Sequence, residues 1–293
     1  MALVNRLSIF TYGDEVRVLE WSHSLGRKIK IKRWGSFSAA PDTEGRALKE
    51  RLLHMGIKAK RARAGLAGKD LVVRLVRLPF MSAGDLAGHL QVQAEDYLLV
   101  DPAEYRYDYR VVKVFEEEGR RYLSVLLAAV PRPALERWYA VFKGAGLYVE
   151  FVDAYPNALG NLFAGQGDRD AAVLDVGREG TRVTFWEKGS LFLYTYLEEG
   201  WAGDGLARVL SDARAYFDFY TARHFGRDVD EVYLVGDLAL DPKARREASD
   251  VLGREVTGDV PPRCYGAVLP GVGREVLPAY AANLGLIFRG RRL

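Results

Sequence analysis

The residues best placed to do chemistry are Asp175, Gly177 and Thr181, in the run Leu174-Asp175-Val176-Gly177-Arg178-Glu179-Gly180-Thr181. An apolar strand beginning near Ala171, a tight turn opened by Asp-x-Gly, and an alternating strand ending near Gly189 together describe a hairpin. Turn amides that converge make a small nest for an anion such as phosphate. Glycine is needed there because a Cβ would block the approach of the anion to the backbone. The aspartate offers hard oxygen to a divalent cation or its waters. A lone Asp-x-Gly is also an ordinary turn signal between two strands.

The N-terminus repeats the layout. The segment Leu7 to Ser24 reads LSIFTYGDEVRVLEWSHS, and a shift of 165 positions lays Arg17 on Arg182, Val18 on Val183 and Trp21 on Trp186. The chemical positions do not survive the shift, because Phe10 falls where Asp175 stands and Tyr12 where Gly177 stands. In two-lobed ATPases of the actin and hexokinase type, each lobe supplies one such hairpin and the phosphates lie between them. Two aromatic rings would fill half of that clamp. One intact copy and one filled copy describe a nucleotide-binding fold that has lost its nucleotide.

Both hairpins must be held by larger units. Alternation marks strands over Ile9–Thr11, Val16–Trp21 and Lys28–Trp34, followed by a helix from Thr43 to Met55. The order βββα recurs as Ala172–Asp175, Thr181–Trp186, Leu191–Tyr196 and a helix from Leu206 to Phe225 with apolar residues at helical spacing. Between the repeats lies a self-contained α+β unit. It holds a strand from Asp70 to Leu78, a helix opened by Ser82-Ala83-Gly84-Asp85, strands Tyr105–Phe115 and Arg121–Val130, and a helix from Pro133 to Lys143. The expected division is a first lobe over 1–69 and 154–170, an inserted unit over 70–153, and a second lobe over 171–293.

At 293 residues the chain can bury two domain-sized cores. It has no apolar run of membrane-spanning length, and its first residues lack signal-peptide order. A single cysteine, Cys264, points to the cytoplasm. The histidines His23, His54, His89 and His224 are scattered, so no metal is expected. The net charge of +3 is unevenly spread, with basic runs at Arg27–Arg33, Lys58–Arg63 and Arg289–Arg292. Such runs solvate a face or guard a strand edge; they also suit an anionic membrane surface or an acidic partner. Nucleic acid is disfavoured, because stacking aromatics do not interleave with the charges.

The ordered landmarks LVVRLVRLPFMSAGDLAGHLQVQAEDYLLVDPAEYRYDYRVV, YLSVLLAAVPRPALERWYAVFKGAGLYVEFVDAYPNALGNLF and AAVLDVGREGTRVTFWEKG, with the closing helix at Tyr280–Leu286, strongly resemble the PilM family. These are actin-like proteins of type IV pilus assembly, related in fold to the division protein FtsA. The resemblance covers nearly the whole chain. It implies an α/β, two-lobed actin-like fold: a duplicated, ribonuclease H-like βββα with an inserted α+β subdomain.

The departures matter as much. Where the family carries Asp and Gly in its first phosphate hairpin, this chain has Phe10 and Tyr12, and Arg17 replaces a lysine. Asp175, Gly177 and Thr181 are retained. The adenosine-side Gly-Gly pair reads Gly236-Asp237, and an acid there is unhelpful to a nucleotide. The upper subdomain of the second lobe looks reduced or missing, since Glu199–Gly205 leads almost directly into the long helix. No cofactor and no catalytic residue is therefore expected.

The resemblance implies a cytoplasmic scaffold, peripheral to the inner membrane, that binds the cytoplasmic N-terminal peptide of a PilN-like membrane protein and contacts a pilus ATPase. It places the peptide in a groove between the first lobe and the inserted unit. The groove candidates are Tyr122, Val125, Leu127, Phe151, Leu159 and Phe163. The alternatives are an active actin-like ATPase or a sugar- or acid-kinase, which would lean on Asp175, and the cytoplasmic domain of a GspL-like type II secretion subunit.

Overall fold

The computed structural model describes residues 4–24, 28–38, 44–163, 168–202, 205–271 and 273–289. Arg27, Thr43, Gly203, Asp204 and the basic tail Gly290–Leu293 lie outside the described residues. Two compact units emerge, one formed by Met1–Gly68 with Phe142–Leu293 and the other by Lys69–Val141.

The larger unit begins with β1 (Arg6–Tyr12), β2 (Glu15–His23), β3 (Ile29–Ser38), α1 (Gly45–His54) and β4 (Arg61–Ala67). The smaller unit follows as β5 (Val72–Pro79), α2 (Ala83–Leu98), β6 (Tyr105–Glu117) and β7 (Arg120–Pro131), with α3 (Arg132–Gly144) leading out of it. The larger unit resumes with β8 (Tyr148–Ala154), α4 (Tyr155–Phe163), β9 (Ala171–Val176), β10 (Thr181–Glu187), β11 (Ser190–Leu197) and α5 (Gly205–Arg223). It ends with β12 (Glu231–Val235), α6 (Pro242–Leu252), β13 (Val256–Thr257), α7 (Pro262–Ala267) and α8 (Ala281–Phe288).

Its two sheets have the orders β3-β2-β1-β4-β8 and β11-β10-β9-β12-β13. In each, an antiparallel three-strand meander is extended by parallel strands on the side of its first strand. The duplication read from the sequence is thus a duplication of sheets. The second sheet buries Leu174, Val183, Phe185 and Leu234 against Val209, Ala213 and Phe217 of α5 and Ala244, Ala248 and Leu252 of α6. Helices α4 and α8 cross closely, since a Cβ on Gly285 would be driven into the Ala158 carbonyl. Asn283 of α8 donates to the Ser8 and Arg17 carbonyls at 3.1 Å each, fixing that helix to the first sheet.

Two expectations need correction. The inserted unit ends at Val141 and not at Asp153, because Tyr148–Ala154 pairs in parallel with β4 and completes the first sheet. The strand β4 itself escaped notice. Its sequence RARAGLA lacks the β-branched residues that mark strands, yet it is a central strand of the first sheet. Small residues are required there because the Phe10 ring lies over Gly65, where a Cβ would be driven into it.

The smaller unit is a three-stranded sheet of order β5-β7-β6 with its own core. Leu86, Leu90, Ala94 and Leu98 of α2 pack on Leu78, Leu123, Val125, Leu127 and Ala129. Ser82 caps α2 as its sequence implied, accepting from the Asp85 amide at 3.2 Å. The β6–β7 turn places Glu118 and Gly119 both at positive φ, the geometry that suits a two-residue hairpin loop.

Candidate functional site

The β1–β2 and β9–β10 hairpins, with the turn after β12, bring together every position at which the sequence sought a nucleotide. They bring them together around side chains of the protein itself. Phe10 is fully buried, 5.2 Å in ring centroid from Tyr12 and 5.9 Å from the buried Tyr155 of α4. The Tyr12 ring is enclosed by two guanidinium groups, Arg17 and Arg182, each 4.6 Å from its centroid. These are the arginines that the repeat superposes. Each copy of the hairpin therefore sends the same basic side chain onto the same ring.

Both guanidiniums are almost completely removed from water, so each needs compensation. Arg17 pairs with Glu15 at 2.7 Å and with Asp237 at 2.7 Å, and donates to the Ala279 carbonyl at 3.2 Å. Burial works against the charge of Arg17. Tyr12, Asp175, Glu15 and Asp237 outweigh it and hold the group well above the usual arginine range. Burial likewise opposes Arg182, with Asp175 the largest of the groups that more than restore its charge. Burial raises Asp237 above the usual carboxylate range, and Arg17 only partly offsets this. The acid that looked unhelpful beside a nucleotide is a counter-ion for Arg17.

Asp175 is 1% exposed. A Cβ on Gly236, which sits at φ +84°, would be driven into its carboxylate, so the glycine lets Asp175 and the β12 turn lie against one another. The second hairpin, intact in sequence, is also committed. The Gly177 amide donates to the Gly180 carbonyl at 3.0 Å, and the Gly177 carbonyl accepts from the Trp201 amide at 3.0 Å. The Thr181 hydroxyl donates to the Glu199 carbonyl at 2.8 Å. Only residues 198–204 separate β11 from α5, too short a link for a helical subdomain; the described part of that link lies on the β9–β10 turn instead.

Asp175 acts electrostatically on both Arg17 and Arg182 while its Oδ1 has no hydrogen-bond partner among the described residues, the Gly177 amide already has an acceptor, and the Phe10 and Tyr12 rings stand at the first hairpin's turn. Among the described residues no group of histidine, cysteine and acidic side chains has metal-binding arrangement. Among those residues, too, no helix is long and apolar enough to cross a membrane.

The groove candidates divide. Val125 and Leu127 lie in the core of the smaller unit, while Leu159 and Phe163 are buried on α4. Their depth leaves them no face for a peptide. Tyr122 and Phe151 are partly exposed and flanked by arginines: Arg77 lies 3.7 Å from the Tyr122 centroid and Arg289 lies 4.2 Å from that of Phe151. Arg17, Arg182 and Tyr155 were not singled out as site residues. The signal was present, since an arginine recurs at the same place in both copies.

No family model and no curated protein matches the chain. Solved structures do. A chain of the PilM-PilN type IV pilus biogenesis complex matches with a TM-score of 0.78 and 18% identity, covering 100% of both chains. A Bacteroides thetaiotaomicron protein with an actin-like ATPase fold and unknown function gives 0.51 at 12% identity, over 86% of this chain and 90% of that one. The cytoplasmic domain of EpsL, an inner membrane component of the Vibrio cholerae type II secretion system, gives 0.50 at 17% identity, over 79% and 82%. The chain has the two-lobed actin-like fold with an inserted α+β unit, and it is PilM-like in that fold.

Proposed function

We propose that this protein is a nucleotide-independent scaffold on the cytoplasmic face of a bacterial pilus assembly platform, where it holds the N-terminal peptide of a PilN-like membrane protein. The reading is supported by the full-length agreement in shape with a chain of a PilM-PilN complex. The internal pairing supports a scaffold over an ATPase or kinase, because Phe10 and Tyr12 fill the first hairpin and Arg17 and Arg182 close on the Tyr12 ring, with Arg17 held by Asp237. The likeness to the EpsL cytoplasmic domain favours, as a second setting, a related secretion platform. Contact with a pilus ATPase belongs to the same proposal.

An extended peptide gains main-chain hydrogen bonds and reads out alternate side chains. Ordering it costs free energy, which keeps affinity modest and concentrated in a few apolar anchors. The test is calorimetric titration with the cytoplasmic N-terminal peptide of a PilN-like membrane protein. Binding should weaken about tenfold or more, about 1.4 kcal/mol, when the peptide's apolar residues become serine, and also in Tyr122→Ala or Phe151→Ala protein. Equal affinity for both peptides, or no binding by either, would overturn the proposal.

A further inference from the structure

Basic residues from two runs that lie far apart in the sequence meet at one end of the first sheet. The register aligns Arg6 with Trp21 and with Arg61, Trp21 with Ile31, and Arg61 with Tyr148. The starts of β1, β3, β4 and β8 therefore share one rim. On it lie Lys28 and Lys30 at the start of β3, Arg6 on β1, and Lys60 and Arg61 at the start of β4. Five strands at roughly 4.8 Å spacing make this rim about 20 Å wide.

The acids at this end are few and face inward. Glu150 is ringed by Arg6 at 3.4 Å, Arg61 at 2.8 Å and Arg63 at 3.2 Å, with a side chain only 14% exposed. Glu20 is fully buried and paired with Arg33. Positive charge is left over and points outward: Lys28, Lys30 and Lys60 are exposed, and the Arg61 side chain is 52% exposed. The matching end of the second sheet is the internal control. There Arg169, Lys188 and Arg227 are each paired, and Asp168, Asp170, Glu187, Asp230 and Glu231 outnumber them, so a basic rim is not a by-product of the fold. The rim also lies at the opposite end of β1 from Tyr12, well away from the cleft.

We infer that this rim docks the protein on an anionic phospholipid surface. A band of cations running from β3 through β1 to β4 matches a plane of negative headgroups better than one phosphate, and each such residue is attracted when close to that plane. Resting on the scaffold reading only for its setting, this orientation would turn the cleft end of the first sheet away from the bilayer.

The experiment is vesicle co-sedimentation of the full chain without any peptide, so that its failure is separable from failure of the scaffold proposal. Vesicles are phosphatidylcholine alone or with phosphatidylglycerol. Binding should require phosphatidylglycerol, fall steeply with added salt, and weaken at least tenfold in Lys30→Glu/Lys60→Glu. Lys30→Gln/Lys60→Gln should give a smaller loss with an unchanged melting temperature, which separates charge from misfolding. Lys243→Glu/Arg246→Glu, on α6, should bind like the unaltered protein. Equal loss in that control, binding to phosphatidylcholine alone, or tighter binding to duplex DNA than to the anionic vesicles would each overturn the inference.

Discussion

Replacing Arg17 with methionine removes the cation that joins the first hairpin to the turn after β12, while keeping most of the side chain's volume. Deleting one partner of a buried ion pair costs about 3–5 kcal/mol because the other charge is left without compensation. Glu15 and Asp237 retain 27% and 30% side-chain exposure, so solvent screens part of their loss. Asp175 keeps Arg182 nearby. Both facts place the expected cost near the lower end, about 3 kcal/mol. For a cooperative unit of roughly two hundred residues that corresponds to a fall in melting temperature of about 6 °C. Chemical denaturation and calorimetry should agree on it.

Asp237→Asn should then recover part of the loss in the Arg17→Met background, with a coupling above about 1 kcal/mol in the double-mutant cycle. Arg46→Met is the control, since its pair with Glu50 is 85% and 58% exposed and should cost under about 0.5 kcal/mol. If Arg17→Met costs no more than that control and shows no coupling to Asp237, the network does not hold the first hairpin to the β12 turn.

Three further outcomes follow from the same geometry. Gly236→Ala forces a Cβ into the Asp175 carboxylate at a positive-φ position, and should lower stability by about 2 kcal/mol or more; a neutral result in urea melts would mean the turn can move. Ser82→Ala removes the α2 cap and should cost the smaller unit about 1 kcal/mol, read as faster amide exchange confined to Lys69–Val141; exchange unchanged there would show that the cap contributes nothing. Burial pushes the Tyr194 phenol up to about 12 and that of Tyr12 higher still. Unfolded tyrosines lose their protons near pH 10 while these keep theirs, so stability is intact below pH 10 and falls as the pH rises from 10 to 12. Tyrosinate absorbance should therefore appear together with the loss of helical circular dichroism, and gradual titration with the dichroism unchanged would refute the burial.

The fold was legible where hydrophobic alternation was strong. The strands β2, β9 and β10, the capped α2 and the amphipathic α5 all carry local signals, and the superposition of Arg17 on Arg182 exposed the duplication. It faded where tertiary packing sets the residue choice. β4 is alanine- and glycine-rich because Phe10 needs the space over Gly65, and that partner lies more than fifty positions away. β8 was assigned to the inserted unit because nothing local tells a strand which sheet it will extend. The damaged hairpin was visible as Phe10 and Tyr12. That Arg17, Arg182 and Asp237 close the cleft was not, since an ion pair 220 positions apart leaves no periodic trace. The apolar groove candidates failed for a related reason: Val125, Leu127, Leu159 and Phe163 look the same in sequence whether they line a groove or fill a core.

The most direct measurement of whether protein side chains have replaced the nucleotide is a thermal melt and calorimetric titration with magnesium ATP. A site saturated at a hundred times its dissociation constant would stabilise the native state by about 2.7 kcal/mol. The expected result is an unchanged melting temperature and no heat of binding, for the unaltered protein and for a variant restoring Phe10→Asp and Tyr12→Gly, because Asp237 and the occupied Gly177 amide remain. A micromolar isotherm accompanied by a rise in melting temperature would contradict it.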